Sequence, residues 1–347
     1  MQLKVVKFGG SSLSDTEHFM RVASIIKADP TRRYVVASAP GKRTDDDQKV
    51  TDMLYTCYNM IKNREDITDY YQKIVERYTG IISGLNLNFD ITGELEYIKS
   101  AMMARSGRDF AASRGEYLNS LILAKYLGFD FIAAENVIFF KDNGSFDEEK
   151  TNEAMKAELK KHKNAVIPGF YGSMPNGTIK TFTRGGSDIT GSIVARASNA
   201  DLYENWTDVS GFLMADPRIV KDPLPISTVT YRELRELSYM GAGVLHEDSI
   251  FPVQKEGITI NIRNTNHPED EGTLIVPNMY TDANEHLITG VAGKKGFSVI
   301  NIEKNRMGGE FGFAARVFKC LDNYAIHTEH LASGIDTMSH IVSTKEL

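Results

Sequence analysis

The feature that most constrains this chain is a lysine followed by two glycines and two serines near its start, Lys7 to Ser12. The apolar residues of Leu3 to Phe8 predict a strand, and the apolar spacing within Asp15 to Ala28 predicts a helix. Glycines at such a junction let backbone N–H groups approach a phosphate, while the lysine and the helix N-terminus add positive charge. The segment is therefore either a phosphate-binding loop or an ordinary turn.

A second glycine pair lies in the segment Thr183 to Asp188, again between a predicted strand and a predicted helix. It places a cation, Arg184, and a carboxylate, Asp188, on either side of the glycines. Phosphoryl transfer depends on positioning and charge neutralisation, which a cationic glycine loop can supply, and a carboxylate can organise Mg²⁺. Asp188 could also cap the helix, and the two roles are compatible. The GxxxxGK[ST] pattern of P-loop enzymes is absent.

Composition excludes several classes of protein. The 347 residues suggest roughly two domains, and 41% apolar with 25% charged residues is ordinary for a globular protein. A net charge of -6, from 40 Lys and Arg against 46 Asp and Glu, argues against nonspecific nucleic-acid binding. Two distant cysteines, Cys57 and Cys320, predict reduced thiols. No signal peptide or membrane-spanning apolar stretch is recognisable, so we expect a cytoplasmic protein without membrane contact.

Strand-like and helix-like segments alternate in a way that favours an α/β fold with a parallel sheet. Strands are predicted at 3–8, 34–39, 129–134, 165–169, 200–206 and 259–263. Helices are predicted at 15–28, 50–63, 67–82, 92–103, 114–126, 151–162, 187–198 and 231–240. The dipeptide Asn176-Gly177 marks a hairpin turn.

Two polar, turn-rich segments, Pro268 to Gly272 and Pro277 to Glu285, predict the seam between a large domain and a small one. We place these domains at residues 1–283 and 284–347. The small domain is predicted to run strand, helix, strand, strand, with its helix at Phe311 to Leu321.

Five blocks together resemble the aspartate kinases of the amino-acid kinase family: KFGGSS at 7–12, FTRGGSD at 182–188, WTDVSG at 206–211, ADPR at 215–218 and VLH at 244–246. The resemblance extends from residue 1 to about residue 343 and implies a three-layer α/β/α sandwich around a mainly parallel sheet. It also implies transfer of the γ-phosphoryl group of ATP, with Mg²⁺, to the side-chain carboxylate of L-aspartate. The product would be 4-phospho-L-aspartate, the first step toward lysine, threonine and methionine.

The resemblance also implies roles for individual residues. Lys7 would stabilise the transferring phosphate, and Asp188 would organise the active site as the second catalytic residue. Arg184 would bind the α-carboxylate of the substrate and Glu116 its ammonium group, since an amino acid needs one cation and one anion. Without the resemblance, Glu116 would be interpreted as a solvated helix carboxylate. Further substrate-side hydroxyls are implied at Ser38 and Thr51.

On the nucleotide side, the resemblance implies contacts to ATP from Lys7, Phe8, Gly9, Gly10, Thr207, Asp208, Leu213 and Arg218. Arg218 would contact the phosphates, or it is a solvated arginine in a turn. The chain departs from the family at Gly243, where a lysine often holds the phosphates, and at Leu213, where a tyrosine often lies near the adenine. Neutralisation of the phosphates would then depend on Lys7, Arg218 and the metal, for which no direct protein ligand is identified.

The small domain resembles the first half of an ACT module, an amino-acid-sensing unit. Because the sequence stops at an apparent third strand, we expect a shortened chain or completion of the module by a partner, favouring a homodimer or larger assembly. The resemblance implies effector contacts at Met307, Gly312, Phe313, Ala314, His327 and Glu329. The effector would be lysine, threonine, both or neither, and a remnant that serves dimerisation alone is the alternative.

Three functional hypotheses remain open from sequence. The first is an active aspartate kinase, and the second is another kinase of the same fold that acts on a different acyl group or nucleotide. The third is a regulatory amino-acid-binding subunit with little catalysis, which the departures at Gly243 and Leu213 motivate.

Overall fold

A computed structural model describes residues 2–183, 185–241, 245, 249–277 and 288–347 of the chain. The chain forms two compact units, Met1–Ala292 and Gly293–Leu347. The domain boundary that we place between residues 283 and 284 lies outside the described residues.

An eight-stranded sheet forms the centre of the larger unit. In spatial order its strands are β10 (Thr228–Thr230), β12 (Thr273–Val276), β11 (Thr259–Asn264), β7 (Leu202–Thr207), β1 (Lys4–Phe8), β2 (Arg32–Ala37), β4 (Ala165–Pro168) and β3 (Asp130–Phe131). Neighbouring strands run parallel, except that β11 and β12 are antiparallel. Since β1 lies between β2 and β7, the loops that follow these three strands meet at one edge of the sheet.

Nine helices are described in this unit: α1 (Thr16–Ala28), α2 (Val50–Lys62), α3 (Thr68–Gly84), α4 (Thr92–Met103), α5 (Arg108–Leu127), α6 (Glu148–Leu159), α7 (Gly186–Ser198), α8 (Tyr231–Tyr239) and α9 (Phe251–Gln254). Two short antiparallel pairs complete it, namely β5 (Tyr171–Ser173) with β6 (Ile179–Thr181) and β8 (Phe212–Leu213) with β9 (Pro225–Ile226). The turn between β5 and β6 contains Asn176-Gly177, as predicted.

Successive residues of β1 point to opposite faces of the sheet, and each face has its own core. Val5 packs in a cluster that includes Ile193 of α7. Val6 belongs to the opposite cluster, with Phe19 of α1 and Leu118 of α5. Helices therefore cover both faces of a mostly parallel sheet, which confirms the predicted α/β/α sandwich.

Two predicted elements differ most from the observed ones, while the helix predicted at 151–162 lies three residues earlier, at Glu148–Leu159. Helix α5 begins at Arg108 rather than at 114, because residues 111–116 are buried without interruption and give no amphipathic pattern. The strand predicted at 129–134 is reduced to β3, an edge strand that pairs with β4 alone among the described strands, before a 3₁₀ turn at Ala134–Asn136.

The smaller unit contains β13 (Phe297–Glu303), α10 (Phe313–Asn323), β14 (Thr328–Ser333) and β15 (Thr337–Ser343). This is the predicted order of strand, helix, strand, strand, and the three strands form an antiparallel sheet in the order β13-β15-β14. The helix begins two residues later than predicted because Gly312 precedes it in a left-handed conformation, with φ of 72°. Among the described helices, none is long and apolar enough to cross a membrane.

A buried ion pair links β2 to β7 across β1, the strand that lies between them. The Nε of Arg32 donates to Oε2 of Glu204 at 2.8 Å, and Nε1 of Trp206 donates to the same oxygen at 2.8 Å. Glu204 is fully buried. Removing one partner of such a pair leaves the other charge in the interior without compensation.

We therefore expect Glu204→Ala to lower the free energy of unfolding by about 3–5 kcal/mol. Urea unfolding followed by circular dichroism measures this. The matched control is Glu17→Ala, which removes a surface pair with Arg21 and should cost less than about 1 kcal/mol. Equal losses in the two variants would contradict the assignment.

Candidate active site

Lys7 lies near the carboxyl end of β1 with 7% of its surface exposed. Its Nζ is 2.6 Å from Oδ1 of Asp188 and 3.3 Å from Oδ1 of Asn205. The Nδ2 of Asn205 donates to the same Asp188 oxygen at 2.9 Å. The two residues predicted as catalytic, Lys7 and Asp188, are therefore in direct contact, and an amide from β7 bridges them.

Two residues of this region escape the sequence analysis. Asn205 is the register partner of Lys7 across β1 and β7, and Asn119 of α5 donates its Nδ2 to the carbonyl oxygen of Ser38 at 2.6 Å. Both asparagines are buried. A polar residue within a predicted buried strand or helix requires a partner, and this is the signal that could have identified Asn205.

The first glycine loop packs tightly against the end of β2. The N–H of Gly9 donates to the carbonyl oxygen of Trp206 at 3.0 Å. A Cβ on Gly10 would lie 2.8 Å from the carbonyl oxygen of Ala39, so no larger residue fits without movement of the backbone. This close approach fixes the path of the loop beside the cavity described below.

The start of α1 differs from the sequence expectation. A 3₁₀ turn, Ser11–Leu13, follows the glycines, and α1 begins at Thr16. Asp15 caps the helix by accepting a hydrogen bond from the N–H of His18 at 3.0 Å. The expectation that this helix N-terminus adds positive charge to the loop is therefore wrong, since a carboxylate already caps it.

The second glycine loop leads into α7. Gly185 has φ of 56° and precedes the helix, which begins at Gly186. A Cβ on Gly186 would lie 2.6 Å from the ring of Phe170, so glycine is required for close packing. Asp188 lies in the first turn but does not cap the helix, and its carboxylate instead contacts Lys7. Arg184 lies outside the described residues.

A cavity of about 580 Å³ opens beside the first loop. Predicted site residues that line it are Gly9, Gly10, Ser38, Thr51, Glu116, Thr207 and Asp208. The sheet explains this convergence, because these residues include the carboxyl-end loops of β1, β2 and β7, where ligands collect in α/β proteins. Five further lining residues, Lys42, Arg43, Thr44, Asp45 and Lys49, belong to the loop between β2 and α2.

Glu116 of α5 supplies a buried carboxyl group to this cavity, with 5% of the residue exposed. Its Oε2 has no hydrogen-bond partner among the described residues. Burial raises the pKa of the Glu116 carboxyl to about 8, although a backbone N–H bond from Ala39 and the nearby charge of Arg114 lower it. An isolated buried carboxylate is costly, so this group favours a cationic partner.

The remaining predicted nucleotide contacts lie elsewhere. Phe8 is fully buried and stacks on Trp206 with ring centroids 5.9 Å apart, so its side chain is part of the core. Leu213 is 41% exposed, and Arg218 is exposed and paired with Asp216 at 2.7 Å. None of these three side chains lines the cavity. Gly243 lies outside the described residues, as does the VLH block except Leu245.

The predicted effector residues lie in the smaller unit. Met307 is buried in a 3₁₀ turn, and Gly312 precedes α10, whose first residues are Phe313 and Ala314. The remaining two are His327, whose backbone N–H donates to Oε2 of Glu346 at 2.8 Å, and Glu329 of β14. These positions stay a prediction.

No group of three or more His, Cys, Asp or Glu side chains within the described ranges is arranged to hold a metal ion. Carboxyl groups close to the glycine loops are those of Asp188, in contact with Lys7, and of Asp45, Glu116 and Asp208, which line the cavity. Such a sparse carboxylate set suits Mg²⁺ that is held mainly by phosphate oxygens and water, rather than a dedicated protein cage.

The raised pKa of Glu116 predicts a pH dependence of stability. Between its ordinary value of 4.5 and about 8, the folded chain retains a proton that the unfolded chain loses. Stability therefore falls as pH rises through this window, by at most about 1.4 kcal/mol per pH unit. In Glu116→Gln this contribution is absent, so the variant should gain stability relative to the parent from pH 5 to pH 8.

Urea unfolding at several pH values measures the effect. The exposed Glu153→Gln on α6 is the control, and its stability should follow the parent at every pH. Parallel curves for the parent and Glu116→Gln would contradict the buried, uncompensated carboxyl group.

Comparison with known proteins adds to this geometry. Residues 2–264 match the model of the amino acid kinase family. Aspartokinase 3 of Bacillus subtilis (strain 168) is 37% identical over 98% of this chain and 78% of its own length. The crystal structure of aspartate kinase from Clostridium acetobutylicum, described as an allosteric enzyme, is 52% identical. It superposes with a TM-score of 0.93 over all of this chain and 79% of that one.

Escherichia coli aspartokinase III, solved in complex with aspartate and ADP, shares the fold. Its TM-score is 0.78 at 24% identity, over 99% of this chain and 79% of that chain. The family model covers most of the larger unit, and the Bacillus and Clostridium proteins match along nearly the whole chain. The chain therefore belongs to the amino acid kinase family and, within it, to the aspartokinases.

Proposed function

We propose that this protein transfers the γ-phosphoryl group of ATP to the side-chain carboxylate of L-aspartate, forming 4-phospho-L-aspartate. The observation that carries the proposal is the buried carboxyl group of Glu116, whose Oε2 has no hydrogen-bond partner among the described residues, in the cavity that Gly9 and Gly10 also line. The part of the lining that contains Glu116 suits an ammonium group, and the part that contains Gly9 and Gly10 suits phosphates. The names of the Bacillus and Clostridium relatives support the same reaction.

The acceptor in this reaction needs no general base. The side-chain carboxyl of aspartate has an ordinary pKa near ~3.9, so at neutral pH it is already the ionised nucleophile. The protein must instead align two anions that repel each other and neutralise their charge. The groups available for this work are the ammonium group of Lys7 and the N–H groups of the first loop other than that of Gly9, which already donates to Trp206.

Lys7 would stabilise the charge on the transferring phosphoryl oxygens. Asp188 and Asn205 hold its ammonium group at 2.6 and 3.3 Å, so the cation is oriented before substrates bind. Preorganised charge of this kind needs little rearrangement during the reaction. Asp188 thus acts through Lys7, and it can also accept an ordered water or a metal-bound water.

The substrate ammonium group would bind Glu116, with Ser38 and Thr51 as neighbouring hydroxyls in the same cavity. A cation at Glu116 favours the ionised carboxyl group and offsets the burial that raises its pKa. Arg184 stays the proposed partner of the substrate α-carboxylate, on the strength of its place in the second glycine loop.

On the nucleotide side, we propose Thr207 and Asp208 at the end of β7, together with the loop N–H groups, as contacts of ATP. Both residues line the cavity. Mg²⁺ would be held chiefly by the phosphates near Asp188 and Asp208, where it would neutralise phosphate charge. Leu213 and Arg218 stay proposals from resemblance, since neither lines this cavity.

Regulation, pathway and assembly are further proposals. We propose the reaction as the first step toward lysine, threonine and methionine, with lysine or threonine as an effector of the smaller unit. A homodimer or larger assembly through that unit is supported by its resemblance to an ACT module. The cytoplasmic location stays a prediction from sequence.

The first test is activity of Lys7→Ala. ADP release with aspartate, ATP and Mg²⁺ should be detectable in the parent and should fall about 10²–10³-fold in kcat in the variant, the loss typical of one preorganised charge. Lys161→Ala, at an exposed pair with Glu158, is the control and should retain activity. Turnover of glutamate but not aspartate would reject the substrate, and an unchanged kcat in Lys7→Ala would reject the role of Lys7.

The second test is proton release on substrate binding. At pH 7 the Glu116 carboxyl, with its pKa of about 8, carries a proton in the free protein. Binding of the aspartate ammonium group should expel most of that proton. Calorimetric titrations in buffers of different ionisation enthalpy measure it, and adenosine, which carries no ammonium group, is the control ligand. Aspartate binding without proton release would contradict the assigned partner of Glu116.

A further inference from the structure

The loop between β2 and α2, residues 42–49, forms a wall of the candidate active-site cavity. We call it the basic loop after the three cations that line the cavity beside Gly9 and Gly10, namely Lys42, Arg43 and Lys49. Three aspartates, Asp45 to Asp47, equal these cations in number; Asp47 is bound by Arg43 and Arg77, and Asp45 also lines the cavity. From sequence, a role is expected only for the hydroxyl group of Thr51, which follows this loop, and none for the cations of the loop.

The basic loop begins in contact with the first glycine loop. The N–H of Gly41 donates to the carbonyl oxygen of Gly10 at 2.8 Å. A Cβ on Gly41 would lie 2.6 Å from the carbonyl carbon of Gly10, so the two backbones touch. Lys42 directly follows Gly41 in the chain. It is therefore one residue away from the contact with the first glycine loop, whose backbone we propose to bind phosphate.

The cations in and near the cavity differ in whether a carboxylate is already paired with them. Lys7 is paired with Asp188, and Arg43 is paired with Asp47 at 2.8 Å. The Nζ of Lys42 donates to the backbone carbonyl oxygen of Asp45 at 2.8 Å, which leaves its charge in place. No carboxylate within the described part of the chain forms an ion pair with Lys42 or Lys49. The ammonium groups of these two lysines can therefore pair with a bound anion.

One buried guanidinium holds the basic loop in shape. The Nη1 of Arg77, on α3, donates to the carbonyl oxygens of Ser14 and Gly41 at 3.2 and 3.1 Å. Its Nη2 donates to Asp47 at 2.5 Å and to the carbonyl oxygen of Gln48 at 3.3 Å. Arg77 is 5% exposed. It therefore ties both ends of the basic loop to the turn that follows the first glycine loop.

We propose that the basic loop is a cationic clamp for the nucleotide phosphates, in which Lys42 contacts the phosphates and Arg77 is the positioning residue. The inference rests on the proposed function and adds a source of positive charge to it. The clamp supplies the charge that a lysine at position 243 would otherwise provide, since Arg218 is exposed and paired with Asp216. Lys49 is a secondary cation at the far end of the same loop.

The decisive variant is Lys42→Met, tested in the full chain. Calorimetry should show ADP binding weakened about ten-fold or more, the value of one charge-assisted hydrogen bond, with adenosine binding unchanged. The KM for ATP should rise while the KM for aspartate stays within about two-fold, and Lys42→Arg should restore most of the loss. The matched control is Lys73→Met, an exposed lysine in a neighbouring cavity on the other side of the basic loop, which should match the parent.

Three results would overturn the clamp. These are unchanged ADP binding in Lys42→Met, an equal loss in Lys73→Met, and a rise in the KM for aspartate instead of ATP. An inactive parent protein would reject the proposed function itself, whereas an active parent with an unaffected Lys42→Met variant would reject the clamp alone.

The positioning role of Arg77 is tested by a double-mutant cycle. Arg77→Lys keeps the charge but loses the forked donor that joins four acceptors, so the KM for ATP should rise with little change for aspartate. If Arg77 acts through Lys42, the double variant should be no weaker than Lys42→Met by more than about two-fold. Increases in the KM for ATP that multiply in the double variant would reject the positioning role. A loss of thermal stability in Arg77→Lys with unchanged kinetics would reject it as well.

Discussion

The contact between Lys7 and Asp188 is the interaction on which the rest of the site depends. It joins the first strand to the first turn of α7, and thereby brings together two glycine loops that are almost 180 residues apart in sequence. Desolvating such a pair is costly, and its net contribution to stability is small or unfavourable compared with apolar residues. The hydrogen bonds with Asn205 reduce that cost, and they hold the buried ammonium group beside Gly9 of the first loop.

The order of the strands makes this contact possible. With β1 between β2 and β7, parallel pairing aligns the carboxyl ends of three strands, and their loops surround one space. Tight backbone contacts then set the spacing of those loops, since Gly10 lies against both Ala39 and Gly41. The backbone on this side of the cavity is therefore fixed in position, which suits a reaction that needs alignment more than covalent participation.

The charges in the cavity are arranged by burial. Glu116 is buried without a full set of partners, and Lys7 is buried with a partner, while Lys42 and Lys49 lie on the exposed basic loop. Burial raises the pKa of the Glu116 carboxyl, and it strengthens the interaction of Lys7 with Asp188 because the surrounding dielectric is low. The lysines of the basic loop are solvated and held through its backbone by Arg77.

The sequence by itself determined the fold class and the family, and it identified the two glycine loops. Glycine pairs at strand–helix junctions and the apolar periodicity are local patterns, and a local pattern can be identified directly in the sequence. The sequence did not reveal the start of α5, because a helix buried on all sides has no amphipathic period, nor the Asp15 cap that separates α1 from the first loop. Only the tertiary structure decided that Asn205 bridges Lys7 and Asp188, that Glu116 is buried, and that Lys42 rather than Arg218 lines the cavity. These facts depend on which loops the sheet places side by side, and the pairing of distant strands is a long-range property that no short motif encodes.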